Sequence, residues 1–376
     1  MEITKQLQQL AKFSDRTCPV ISVYVRTQWP DQSQHAVSAA FLARHLRQAR
    51  TLALETDAAR QSLAQDLVRI EQRGATLLRD RSQASAVSFA LFACSGAGVW
   101  VEFPSPIPFE NEFTIADRPA LRQLARLDAD YINALVVLVD AQSARLCEVV
   151  LGQLLTETDF RGEAADLAIQ EGQLRYRRQA RDDTRRYGEE VAAYVTAYCR
   201  ERPETYLIFS GKDEILAHFR QLLPPHMQRK IIDTVPLDQR DTPDHILHVA
   251  RETLEQHERI KDQESVRLLL DSAARGGLGV LGLPDTLVAV NAGLVHKLVM
   301  NRDFQKRGWR CQDCDYIGSD EEVPPQCTVC DGPAMAVELG EAMVAEVLRN
   351  DGFVEPVARD AHLARHDGIG ALLSHF

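Results

Sequence analysis

Two short cysteine pairs carry the plainest chemistry in the sequence. Cys311-Gln-Asp-Cys314 and Cys327-Thr-Val-Cys330 are separated by a Gly318-Ser-Asp-Glu-Glu-Val-Pro-Pro loop, with Trp309 just ahead. Two Cys-x-x-Cys knuckles at this separation let four thiolates converge tetrahedrally on one ion, and soft sulfur donors select zinc or, less readily, iron. Two disulfides or four unrelated core thiols would not call for paired two-residue spacing. With all four positions filled by cysteine no site is open to water or substrate, so the expected Zn2+ is structural and holds a small ribbon together.

The second concentration of chemistry is basic. Between Gln170 and Gly188 stand Arg175, Arg177, Arg178, Arg181, Arg185 and Arg186, against Glu171, Asp182 and Asp183. Arg178, Arg181 and Arg185 recur at the spacing of one helix face, and the arginine fork suits phosphate. A solvated helix face neutralised by nearby carboxylates is the other reading of the same pattern.

The rest of the chain is acidic, with a formal net charge of −11 over 376 residues. That balance argues against general nucleic-acid or DNA affinity but leaves room for one local RNA contact. Hydrophobic residues at 45% and charged residues at 26% describe an ordinary globular chain of two or three domains. No apolar run is long enough to span a bilayer, and Met1–Leu10 reads as an amphipathic helix rather than a signal peptide, so a cytoplasmic protein with no membrane partner is expected. Cys18, Cys94, Cys147 and Cys199 are scattered and read as buried thiols.

Three cores must position these groups. Residues 1–130 read as an α+β domain: a strand at Pro19–Arg26, a helical hairpin over about 36–52 and 57–80, then strands at Ala86–Cys94, Val99–Phe103 and Glu110–Ile115 and a helix near 118–127. Pro104-Ser-Pro-Ile-Pro reads as a breaker. Residues 131–262 alternate strands and helices, which predicts α/β. The apolar run Tyr131–Val139 is a fully buried strand, followed by strands at Ala144–Val150 and Leu154–Asp159. A long helix runs to Cys199 with an inward stripe of Tyr187, Val191, Tyr194, Val195 and Tyr198, and a strand at Thr205–Ser210 follows. Residues 263–376 form a second α/β unit into which the ribbon, 309–333, is inserted, and a polar, solvent-bridging helix around Glu252–Arg267 places the linker at about 250–270. With separate cores, loss of the metal should loosen the last domain alone.

The order of the three units resembles archaeal and eukaryotic class-I peptide chain release factors and their relative Pelota, in the bacterial branch of that family. The resemblance is carried by Gly279-Val-Leu-Gly, Asp285-Thr-Leu, Ala292-Gly-Leu-Val, the Trp309-Arg-Cys ribbon, the ending Asp367-Gly-Ile-Gly-Ala-Leu-Leu, and Val137-Leu-Val-Asp140 in the middle. It implies a decoding-type first domain, a central RNase H-like domain, and a last α/β/α domain of the kink-turn-binding ribosomal-protein type with an inserted zinc ribbon. It also implies a ribosomal partner at the A site, with rRNA contacts from Gln173 and the six arginines, and elongation factor Tu or another translational GTPase as a further partner. Gly172-Gln173 falls where a release factor carries Gly-Gly-Gln, but Glu171 stands in place of the first glycine, and the helical hairpin lacks the Asn-Ile-Lys-Ser motif of stop-codon reading. The expectation is a non-catalytic factor occupying the A site of stalled or idle ribosomes. The alternative is peptidyl-tRNA hydrolysis through Gln173 and Gly172.

Overall fold

The computed structural model describes residues 2–27, 35–79, 87–105, 107–129, 133–140, 143–150, 153–161, 173–320 and 322–374, with the side chains of 2–4, 35, 128–129, 161 and 173–186 left out. The chain folds as two compact units: Tyr131–Ile260, and Glu2–Asp130 together with Lys261–Phe376.

In the first segment, α1 (Glu2–Lys12) precedes β1 (Val20–Arg26), α2 (His35–Ala49), α3 (Asp57–Arg79), β2 (Ser88–Cys94), β3 (Val99–Ser105), β4 (Glu112–Ala116) and α4 (Arg122–Ala129). The sheet is antiparallel, in the order β3-β2-β1-β4. Period-two alternation gives it two faces. Ile21, Val23, Val25, Phe89 and Leu91 pack under Leu42, Leu46, Leu63, Leu67 and Ile70 of the hairpin α2–α3. On the opposite face the Tyr24 hydroxyl donates to the Ala120 carbonyl at 2.6 Å, and the Ala120 N–H donates to the Ser22 hydroxyl at 2.9 Å. The expected breaker begins inside a strand: Pro104 lies in β3 opposite Phe89, where an edge strand can spare one N–H. Val37, which shares helical spacing with the apolar residues of α2, is 54% exposed.

The unit Tyr131–Ile260 contains β5 (Asn133–Val139), β6 (Ser143–Val150), β7 (Gln153–Arg161), α5 (Gln173–Glu201), β8 (Thr205–Ser210), α6 (Asp213–Leu222), α7 (Pro225–Gln228), β9 (Ile231–Thr234) and the start of α8 (Pro243–Ala274). Its sheet runs β7-β6-β5-β8-β9, antiparallel through β5 and parallel from β5 to β9, which is the RNase H-like order. Every residue of β5 is buried. Leu135, Val137 and Val139 meet Tyr187, Val191 and Val195 of α5, while Ala134, Val136 and Leu138 meet Ile246, Ala250 and Leu254 of α8. A continuous apolar run is therefore what a strand covered on both faces requires. Tyr194 departs from the expected inward stripe: it is 36% exposed, its ring stacked 6.5 Å from that of Tyr198.

The stretch 250–270 is helical, as expected, and belongs to α8, unbroken from Pro243 to Ala274. Its polarity belongs to an exposed helix face carrying pairs such as Arg259–Glu255 and Arg267–Asp271, and the boundary between the two units falls within it, between Ile260 and Lys261.

The last segment continues with β10 (Gly279–Leu281), α9 (Leu283–Asn291), β11 (Val295–Asn301), β12 (Arg307–Cys311), β13 (Ile317–Gly318), β14 (Ala334–Glu338), α10 (Leu339–Arg349), β15 (Phe353–Val357), α11 (Ala361–Ala364) and β16 (Ile369–Leu373). A mixed sheet, β10-β16-β11-β15, forms the middle layer. Val266 and Leu269 of α8 pack with Val299, Val357 and Leu363, and α9 and α10 pack on the same sheet through β16, β11 and β15. The ribbon is a separate three-stranded sheet, β13-β12-β14, inserted between β11 and α10.

Candidate metal centre and basic helix

The ribbon brings the four predicted cysteines together: the Sγ atoms of Cys311, Cys314, Cys327 and Cys330 all lie within 4.8 Å of one another. The Cys311–Cys330 and Cys314–Cys327 sulfur pairs are 3.4 and 3.7 Å apart, well beyond a disulfide bond. β12 delivers Cys311, and Trp309 two residues earlier is 1% exposed beside Tyr316, forming with Cys311 and Cys327 a small core of the ribbon's own. Gly318 is required where β13 crosses the indole: a Cβ there would sit 2.2 Å from the Trp309 ring.

The donor set fits a thiophilic cation. The Asp313 and Cys314 N–H groups donate to Cys311 Sγ at 3.3 and 3.4 Å, and the Val329 N–H donates to Cys327 Sγ at 3.4 Å. Burial opposes ionisation of Cys311, yet the Cys314 and Asp313 N–H groups and the neighbouring thiols bring it down to about 7. Burial and the same neighbours push Cys314 up to about 12. Sulfurs this close resist sharing negative charge unless a cation takes it up.

Charged residues that the motif did not single out surround the knuckle. Asp315 directly follows Cys314 with φ 64°, and its carboxylate meets Arg118 at 2.5 Å, Arg310 at 2.9 Å and Arg349 at 3.0 Å. Arg310, 5% exposed, also reaches Asp117 at 2.5 Å. The Arg16 guanidinium donates to the Asp313 carbonyl at 2.9 Å. Burial raises the Asp315 carboxyl, but Arg118 and Arg349 outweigh that and hold it below its ordinary range. Burial, with Arg310 and Arg349 close by, pushes Arg118 down. The signal available in the sequence was the interleaving of Arg310, Asp313 and Asp315 with the cysteines; nothing there tied them to Asp117 or Arg118.

A second contact joins the same two segments. The Glu341 carboxylate accepts from the Leu121 and Arg122 N–H groups at the start of α4, the latter at 3.0 Å. Arg122 reaches Glu338 at 3.1 Å and donates to the Arg302 and Phe304 carbonyls. Burial, with Glu112 and Glu338 nearby, raises the Glu341 carboxyl to about 7, although its two N–H partners pull the other way. Arg122, Arg302, Glu112, Glu338 and Glu341 are among the residues lining a cleft of about 990 Å³. The expectation of wholly separate first and last cores is corrected here, since both segments pack into one unit through these contacts.

The basic helix is described in its backbone. α5 begins at Gln173 and carries all six arginines, so Arg178, Arg181 and Arg185 occupy one side of a continuous helix. Glu171 and Gly172 lie outside the described residues, as do the side chains of Gln173 and the arginines. Asp182 and Asp183 lie within the same helix.

Residues 119–258 match the family model for bacterial archaeo-eukaryotic release factor family 10. That span begins at the approach to α4, includes α5 and ends within α8, so this part of the chain is similar to a release-factor-type protein. Among solved structures, an archaeal translation termination factor is 15% identical, with 100% of this chain and 97% of that one covered and a TM-score of 0.27. Ribosome-bound archaeal Pelota, in a structure with ABCE1, is 13% identical over 99% of this chain and 94% of that one, with a TM-score of 0.42. The S. cerevisiae termination-like factor that interacts with Hbs1 is 10% identical over 77% and 80%, with a TM-score of 0.41. No curated protein matches the chain.

Proposed function

We propose that the protein is a ribosome-associated translation factor that occupies the A site of stalled or idle ribosomes without catalysing peptide release. The observation that carries this reading is the family match over 119–258, which encloses the basic helix. The same match supports rRNA as the partner of Gln173, Arg175, Arg177, Arg178, Arg181, Arg185 and Arg186, the one dense positive stretch in a chain of net charge −11. Glu171 argues for the non-catalytic role: two consecutive glycines allow a backbone that a glycine preceded by glutamate does not share, and a carboxylate is repelled by a phosphate-rich centre. On this reading the protein acts by occupancy, in the manner of the hibernation factor Balon of the family's bacterial branch, and a GTPase of the elongation factor Tu type is a partner to test.

Cys311, Cys314, Cys327 and Cys330 would hold one zinc ion, whose contribution is a fourfold cross-link of the ribbon with no open position for chemistry. Sedimentation with purified ribosomes and a peptidyl-tRNA release assay test the functional reading together. Binding without peptide release is expected, and release dependent on Gln173 would make the protein a rescue or termination enzyme instead.

A further inference from the structure

The structure assigns the metal knuckle a second role, in which metal held by the four cysteines locks Asp117–Ala129 of the first segment onto the last, so that metal binding and docking are one coupled equilibrium. The inference does not depend on ribosome binding.

The coupling follows from where the docking groups sit. Arg310 precedes Cys311, Asp313 lies between the two cysteines of the first knuckle, and Asp315 follows Cys314. Each contacts the first segment: Arg310 through Asp117, the Asp313 carbonyl through Arg16, and Asp315 through Arg118. A metal that fixes Cys311 and Cys314 fixes the turn between them, and with it all three docking partners. Misplacing them is costly because the charges are crowded. Arg118, Arg310 and Arg349 converge on the carboxylate of Asp315, with Asp117 on Arg310 and Glu346 on Arg118 and Arg349 as the other counter-charges, and Arg118 has only 11% of its side chain exposed. If the knuckle relaxes and Asp315 moves, the three guanidinium groups keep only Asp117 and Glu346 as counter-charges in a half-buried site, one short of balance, which favours separation of the segments. α4, whose first N–H groups are held by Glu341, would then lose its seat on α10. Coupling of this kind is reciprocal: docking that depends on metal obliges metal retention to depend on docking.

The test uses the full chain loaded with zinc. Transfer of zinc to an excess chromogenic chelator is timed for the wild type, Asp117→Ala and Arg118→Ala, none of which alters a cysteine. Release about fivefold or more faster in both variants is expected, the lower end of ordinary coupling between sites. In parallel, hydrogen exchange of the Leu121 and Arg122 amides is followed in the wild type before and after chelation, so that one arm needs no variant. Their protection should fall about tenfold or more while the β1–β2 ladder keeps its own. Wild-type zinc release in both variants would overturn the proposal, as would unchanged Leu121 and Arg122 protection in protein shown by elemental analysis to have lost its metal. Equal loss of protection in the β1–β2 ladder would also overturn it, because the metal would then support global folding and not this docking. A chain that takes up no zinc removes its basis.

Discussion

At Asp315 one carboxylate answers three guanidinium groups drawn from the loop before α4, from β12 and from α10. Replacing it with asparagine keeps the shape and removes the charge, leaving Arg118, Arg310 and Arg349 with two carboxylates, Asp117 and Glu346, among three guanidinium groups. Breaking a partly buried network of this kind costs about 2–3 kcal/mol, so Asp315→Asn should lower the melting temperature by several degrees in reduced, zinc-loaded protein. A change within about 0.5 kcal/mol by denaturant titration would show that the network is solvated. Glu341 gives a pH-dependent counterpart. Its carboxyl is raised from an ordinary 4.5 to about 7. The folded protein therefore holds this proton more tightly than the unfolded chain. The stabilisation is complete below the unfolded value and is lost as pH rises through the window from 4.5 to about 7. Stability measured across the upper part of that window should carry a falling contribution on the order of 2 kcal/mol, and Glu341→Gln should remove that slope. An identical slope in the variant would assign it to other groups.

Among the elements, those with a single strong period were legible in the sequence. β8 coincides with the expected Thr205–Ser210, and the unbroken apolarity of β5 announced a strand covered on both faces. The misreadings share a cause: tertiary setting decides what one breaking or amphipathic residue does. Pro104 continues a strand because that strand is an edge, and Tyr194 of the expected inward stripe is 36% exposed, its ring stacked on Tyr198. The cysteine centre was legible because metal geometry imposes spacing on sequence. Its ring of Asp117, Arg118, Arg310 and Asp315 was not, since ion pairs between residues nearly 200 positions apart impose no period. For α5, combining Arg178→Glu, Arg181→Glu and Arg185→Glu should weaken ribosome binding at least about tenfold and flatten its salt dependence by about two to three phosphate contacts. Equal affinity across a salt series would return this face to solvent.

For the whole molecule, the decisive feature is the union of a central region similar to release-factor-type proteins with a sequence that has Glu171 where a release factor carries the first glycine of Gly-Gly-Gln. Binding and catalysis can therefore be separated by experiment. The cysteine centre bears on the same question of integrity: protein purified under reducing conditions should contain one zinc ion per chain, and elemental analysis showing no stoichiometric metal would contradict that assignment. The most direct test of the central claim measures ribosome co-sedimentation and peptide release on the same peptidyl-tRNA-loaded ribosomes, for the wild type and Gln173→Ala. Both proteins should pellet with ribosomes, and neither should release peptide above the ribosome-only background. Peptide release by the wild type, lost in Gln173→Ala, would contradict occupancy without catalysis and establish a hydrolase.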